Sequence, residues 1–484
     1  MPNHDVDISV MVFAAALLLT FAVAFLGRRH SRRVTSAALS EHHLNRWLVG
    51  LSAGATANSG FVVTAAVGLG YSFGAQWLLL PLSWFLGDLL FWTFFPQRIN
   101  ATGRTVKAAT MTDVIVDGMK ARPQSGFKRS ISVLVVLCLG AYISAQWLAG
   151  EKFLHGAFGF DGAVSLLTFA ALIVVYTAIG GFRGSVYVDS MQAIIRIIGT
   201  VIAIVAAIVV AKQQSQAFWQ NIHAAGPKFL NILPHGSVVA AIPFIIGFAA
   251  AALGFGLGQP QMVTRYLAGS TPEETRSAFW VYNFFVQFTW ISMTAFGIVL
   301  RGVMPAIADP EMGLSVFFRS HTGAIFTGII TADIFATIAA TSNSLLVAMA
   351  QSVSRDLLGR YGTQARSAED IWPVTATLGA ATMILSLNLH SSVFNLALAS
   401  VSLLGAGLAP VMMIRVLNWR RTDTSLIFAA LVGFCTASLW RFFGLSGFMN
   451  EAAPGIALAL SANLIVCRFS ATSGRSLVYD DVRT

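Results

Sequence analysis

Charge is what this sequence has least of. Only 11% of its residues are Asp, Glu, Lys or Arg, where a soluble domain carries about 25%. That scarcity excludes an ordinary water-soluble fold and a disordered chain alike. Cysteine is nearly absent as well. Cys138, Cys435 and Cys467 are odd in number and each sits inside an apolar run, which argues against a disulfide framework or a thiolate metal site. Histidine is not grouped at metal-ligand spacing, since His30, His42 and His43 fall in a basic loop. No intramembrane nucleophile and base pair off, so an enzyme is not expected.

Apolar length is what the chain does have. Hydrophobic residues make up 56%, the mean hydropathy is +0.71, and runs of about 20 apolar residues, enough to cross a hydrocarbon core as helix, recur from end to end. The class is an all-α polytopic membrane protein. Thirteen transmembrane helices are expected, near 8–27, 46–69, 76–96, 131–150, 161–180, 190–211, 239–258, 279–302, 323–352, 373–389, 393–417, 425–443 and 454–470. The first run is followed, not preceded, by Arg28, Arg29, Arg32 and Arg33, so it reads as a retained helix and not a cleavable signal.

Sorting Lys and Arg by alternate loops places 24 on one side and 6 on the other, with Arg196 alone inside a span. Positive loops stay in the cytoplasm. The protein is therefore expected in the plasma (inner) membrane with its N-terminus outside and its C-terminus cytoplasmic. Its net charge of +10 then reads as contact with inner-leaflet lipid, and no nucleic-acid partner is expected. No polar stretch exceeds linker size, so 1–484 is read as one membrane domain.

Two spans make poor uninterrupted helices. Residues 46–70 carry Gly50, Gly54, Gly60, Gly68 and Gly70 around Thr56-Ala-Asn-Ser59. Residues 239–260 carry Pro243, Gly247, Gly254, Gly256, Gly258 and Pro260. The two spans are five apart and so begin on opposite sides, the pattern of a five-plus-five inverted repeat whose broken helices hold solute and ions near the midplane. Small residues that merely allow close helix packing are the alternative reading.

Four motifs resemble the sodium:solute symporter family, nearest to its sodium/proline symporter branch. They are Ser52-Ala-Gly-Ala-Thr-Ala-Asn-Ser-Gly60; Tyr176-Thr-Ala-Ile-Gly-Gly-Phe182 followed by Asp189; Gly258-Gln-Pro-Gln-Met-Val-Thr-Arg265; and Ala340-Thr-Ser-Asn-Ser344 with Ser354-Arg-Asp356. The resemblance runs from about residue 8 to 470. It implies a LeuT-type core of ten helices at 46–417, an extra N-terminal helix at 8–27, two C-terminal helices at 425–470 and a cytoplasmic tail at 471–484. It also implies secondary active transport by alternating access, a small-molecule solute (an amino acid, a carboxylate or similar), monomeric function, and no cofactor beyond Na+ as coupling ion.

Carried over from the family, one sodium lies between the first core helix and the eighth, with carbonyls of Ala55, Asn58 and Thr337 and hydroxyls at positions 340 and 341. Thr341 is present, but Ala340 lacks its hydroxyl and Ala57 stands where the proline branch has an aspartate. H+ is for that reason the alternative coupling ion. Asp333, Thr337 and Thr341 share one helix face, and an acid about ten residues inside a span must be paired or functional. Asp333 is read either as an outer sodium ligand or proton carrier, or as a neutral acid hydrogen-bonded to a neighbour. Asp189 opens the fifth core helix in this reading, as an acid of a second sodium site or exit path facing Asn343 and Ser344, or as a simple cap. Arg196 pairs with Asp189 or snorkels, and Asp88 bonds within the membrane, to Ser83.

Solute in the family lies between the two breaks and the third core helix. Here that points to Ser59, Gly60, Phe61, Tyr142, Gln146, Ala252, Gly256 and Gln259, with Asn58 beside them. Ala252 and Gly256 replace aromatics of the proline branch, so the cavity is expected to be more open and its solute bulkier than proline. A sodium-independent or proton-coupled carrier and a transporter-like membrane sensor are the rival readings.

Overall fold

The computed structural model describes residues 3–32, 44–234, 237–358, 372–388 and 393–472. The basic loop with His42 and His43, the polar stretch 359–371 and the tail from 473 lie outside them. Among the described residues the regular structure is helical, with a single isolated bridge between Leu44 and Gly269.

In chain order the helices are α1 (Asn3–Arg32), α2 (Arg46–Ala57), α3 (Gly60–Val63), α4 (Ala65–Phe73), α5 (Leu79–Phe94), α6 (Pro96–Val106), α7 (Met111–Val116), α8 (Ala121–Phe158), α9 (Gly162–Gln213), α10 (Ser215–Ala224), α11 (Val238–Gly258), α12 (Pro260–Leu267), α13 (Pro272–Ser277), α14 (Phe279–Val303), α15 (Gly313–His321), α16 (Ala324–Gln351), α17 (Trp372–Ser386), α18 (Val393–Val416), α19 (Asp423–Phe442) and α20 (Ala452–Thr472). A π-helical turn at Ser352–Leu357 continues α16.

Ten runs among the described residues are long and apolar enough to cross a membrane, and three of the thirteen expected spans do not appear among them as separate runs. The three shortfalls have local causes. The span expected at 46–69 is divided into α2, α3 and α4. That at 161–180 contributes a shorter apolar stretch, Gly162–Ala178. That at 373–389 is the 15-residue α17. A second difference lies in α9, which runs unbroken through the loop expected between 180 and 190. Asp189 is therefore deep inside a helix, and the capping reading fails because its neighbours' amides are already bonded within the helix.

Both expected breaks are present. α2 stops at Ala57, and Asn58 (φ −83°, ψ 57°) and Ser59 (extended) carry the chain across to α3. α11 stops at Gly258, Gln259 is extended, and Pro260 opens α12 at a position where the missing N–H is no loss. Each broken helix packs on the second long helix of the other half: α2 and α4 on α14, and α11 on α5. A glycine makes each contact close. A Cβ built on Gly297 of α14 would lie 2.1 Å from the Val67 carbonyl oxygen, and one on Gly87 of α5 would lie 2.0 Å from that of Ala249.

Those contacts predict that Gly297→Val lowers the melting temperature of the detergent-purified protein, at a cost of about 1–3 kcal/mol or more from overpacking. Gly447→Val is the control, because nothing lies within 4 Å of a Cβ there; its shift should stay within ~0.5 kcal/mol.

Candidate functional site

In hydrocarbon every freed backbone group must find a partner, and the α2 break shows where the partners come from. Gln146 Oε1 accepts the Gly60 N–H at 2.8 Å, and Ser59 Oγ accepts the Phe61 N–H at 3.2 Å. On the other side of the break, Thr341 Oγ1 of α16 donates to the Thr56 carbonyl at 2.9 Å and approaches that of Ala55 at 3.4 Å. Of the groups that the family resemblance assigns to a cation, the Thr341 hydroxyl and the Ala55 carbonyl thus approach one another, with the Thr56 carbonyl beside them.

A narrow cleft, too tight for a water molecule, opens there between Ala55, Asn58, Gln192, Ala193, Arg196, Phe285, Ala336, Thr337 and Ala340. Ala55, Asn58 and Thr337 were expected, and Ala340 presents a methyl group where the hydroxyl is missing. Asn58 Nδ2 donates to Thr289 Oγ1 at 2.6 Å, while its Oδ1 is buried with no hydrogen-bond partner. Arg196 does not pair with Asp189. Its Nη1 donates to Asp333 Oδ2 at 2.5 Å, both side chains being buried. Thr337 Oγ1 donates to the Asp333 carbonyl at 2.9 Å. Asp333 is therefore paired with an arginine of the neighbouring helix α9. Asp88 also departs from expectation: Ser83 Oγ bonds its own helix at Leu79, 2.6 Å away, leaving Asp88 buried elsewhere.

Asp189, Asn343 and Ser344 are brought together in a second network. Asp189 Oδ2 accepts from Ser52 Oγ (2.9 Å), Arg265 Nη2 (2.7 Å) and Ser344 Oγ (3.4 Å). Asn343 Nδ2 donates to Ser185 Oγ at 2.8 Å, and Thr56 and Ser344 hydroxyls lie 3.0 Å apart. Arg265 also donates through Nε to Ser52 Oγ at 2.7 Å and through Nη1 to the Gln261 carbonyl. The acid expected to face a second sodium is thus met by a guanidinium.

The solute residues divide. Ser59, Phe61 and Tyr142 line a partly open pocket, together with Ala57, Leu80, Trp84, Phe248, Phe255, Trp290, Phe394, Ala397, Leu398 and Val401. Gly60 and Gln146 bond one another behind it. Gln259 donates from Nε2 to the Val401 carbonyl at 3.1 Å and does not line the pocket. Ala252 and Gly256 do not open the cavity. A Cβ on Gly256 would sit 2.6 Å from the Phe91 ring, and one on Gly87 2.6 Å from the Ala252 Cβ. The volume given up at these positions is filled by α5, as close packing demands.

Sequence reasoning missed the rings of Trp84, Phe248, Phe255, Trp290 and Phe394, which are indistinguishable in the sequence from other lipid- or core-facing aromatics of their helices. It also missed Ser52 and Arg265 as partners of Asp189, although both stand inside the quoted motifs. An arginine in an apolar segment is itself a signal that a carboxylate lies within reach.

A model of the sodium:solute symporter family matches residues 38–433. The osmoregulated proline transporter OpuE of Bacillus subtilis is 24% identical over 478 residues, 96% of this chain and 94% of that protein. The sodium/pantothenate symporter of Escherichia coli is 24% identical over 357 residues, 72% of each chain. The solved structure of a Na+-coupled sialic acid symporter, substrate-bound and outward-open, is similar with a TM-score of 0.76 at 19% identity, covering 96% of this chain and 98% of that one. That likeness is one of fold, and the fold is the LeuT type.

Removing one member of a buried ion pair strands the other, at about 3–5 kcal/mol. Asp189→Ala and Arg265→Ala should each lower the melting temperature strongly, whereas Asp189→Ala with Arg265→Ala should lower it by clearly less than the sum. Additive losses in a double-mutant cycle of thermal stability would contradict the pairing.

Proposed function

The chain belongs to the sodium:solute symporter family, and on that premise we propose that it carries a small organic solute into the cell together with sodium, by alternating access and without chemistry on the solute. One observation carries the reading. Consecutive residues of the α2 break face two sites: Ala55 and Asn58 line the cleft at α16, while Ala57 and Ser59 line the aromatic pocket. An ion that draws the break's carbonyls together thereby shapes the wall against which the solute rests, which is how binding of one favours the other. Sodium, a hard cation, would be held by oxygens of Ala55, Asn58, Thr337 and Thr341.

The pocket has no charged side chain among its lining residues and is walled by seven aromatic side chains, those of Phe61, Trp84, Tyr142, Phe248, Phe255, Trp290 and Phe394. That lining suits a compact solute with an apolar or ring-bearing body whose polar group meets Ser59 and Tyr142, an amino acid or small carboxylate; OpuE is named for proline and a second relative for pantothenate. Thirteen crossings with an outside N-terminus and a cytoplasmic C-terminus are supported by which loops touch. Lys128 pairs with Asp113 and Asp356, and Arg415 with Asp117, on the face rich in Lys and Arg. Lys152 pairs with Asp309 and Glu311 on the other. A sodium-independent carrier is the second reading, favoured by the methyl group of Ala340 in the cleft.

In liposomes holding the purified protein, uptake of a labelled panel including proline and pantothenate is expected to follow an inward NaCl gradient and not a KCl gradient. Thr341→Ala should raise the half-saturating sodium concentration about tenfold, which is ~1.4 kcal/mol. Trp290→Ala should weaken the solute more than the sodium. Equal uptake under both gradients would overturn sodium coupling.

A further inference from the structure

The cleft assigned to sodium already contains a cation of the chain's own. Arg196 lines it with Ala55, Asn58, Thr337 and Ala340, is buried, and leaves Nε and Nη2 without hydrogen-bond partners. Nη1 is held by Asp333. The rest of the lining, Gln192, Ala193, Phe285 and Ala336, brings no charge. Asp333 is set where it is by α9, because a Cβ on Gly199 would fall 2.3 Å from Asp333 Oδ2. Only glycine lets the carboxylate rest against that helix, one turn beyond the arginine. Asn58 Oδ1, unpartnered in the same cleft, is an acceptor that either a guanidinium N–H or a sodium ion satisfies.

The geometry points to Arg196 as a tethered competitor of sodium: the guanidinium and the ion exclude one another from the cleft between the α2 break and α16, and Asp333 sets the balance by holding the guanidinium toward α16. Two like charges in a cleft too tight for water repel strongly at low dielectric, so the driving ion enters only while Asp333 neutralises and retains the arginine. Arg196 thus sets how tightly the cation is held. This rests on the sodium reading of the site and adds that the site's affinity is set by an internal charge pair.

The test is the half-saturating NaCl concentration for thermal stabilisation of the detergent-purified full chain, at fixed ionic strength with KCl as counterpart, since a ligand of the folded state raises the melting temperature by mass action. Arg196→Gln removes the competitor and leaves the acid. It should lower the half-saturating sodium concentration at least about tenfold. Asp333→Asn frees the guanidinium and should raise it about tenfold or abolish the sodium response. Arg196→Gln with Asp333→Asn should fall between the two. Gly199→Ala keeps both charges but displaces the carboxylate, and should act like Asp333→Asn; it serves if a single charge variant fails to fold. A purely structural pair would move all four in the same direction, and an Arg196→Gln protein with unchanged or weakened sodium response beside a responsive parent overturns the inference alone. An unresponsive parent with a responsive Arg196→Gln supports it. If neither the parent nor any variant responds to sodium, the sodium reading of the site fails and the competition with it.

Discussion

A charge placed at the depth of the hydrocarbon must be answered by an opposite charge or a bound ligand, and α16 carries that constraint at both ends of one stripe. Asp333, Thr337, Thr341 and Ser344 fall on a single face of the helix, since positions three and four apart stack along it. The stripe begins at the Arg196–Asp333 pair and ends at Ser344, which joins the Arg265–Asp189 pair. Between them Thr341 meets the carbonyls of the α2 break. Tyr176 of α9 also bonds the Ala339 carbonyl at 2.8 Å. α9 and α16 are therefore fastened by one ion pair and several hydrogen bonds, against which the broken helix is placed.

The break is the second half of the logic. An unbroken helix would satisfy its own backbone and leave nothing for an ion, whereas α2 ends with carbonyls that depend on a side chain from another helix. The same few residues present one face to the cleft and the other to the aromatic pocket. In the proposed reading, ion and solute need no long pathway between them, because cleft and pocket share one turn of backbone. At the second break Gln259 is spent differently, tying the extended link to Val401 of α18 and to Gln261, so it frames the pocket and does not line it.

Apolar run length and the asymmetry of positive charge made the helical class and the loop pairing legible. Glycine and proline marked both breaks, and the spacing of Asp333, Thr337 and Thr341 marked the stripe on α16. Other features depend on neighbours that no local pattern reveals. The glycine-rich stretch before Asp189 reads as a loop, yet it stays helical in a setting where Gly184 lies against the Ala24 backbone of α1. Arg196 and Asp189 share a face, but seven residues of helix separate them by about 10.5 Å along the axis, so a nearer carboxylate on α16 takes the arginine. Small residues at 252 and 256 suggested space, and Phe91 filled it, since a core position's volume is set by what packs against it.

If sodium and the Arg196 guanidinium exclude one another at the α2 break, a structure of the protein determined in saturating NaCl will show an ion among oxygens of Ala55, Asn58, Thr337 and Thr341, with Arg196 still bonded to Asp333 but no longer lining the cleft. An ion bound elsewhere, with the guanidinium in its present place, rules this out.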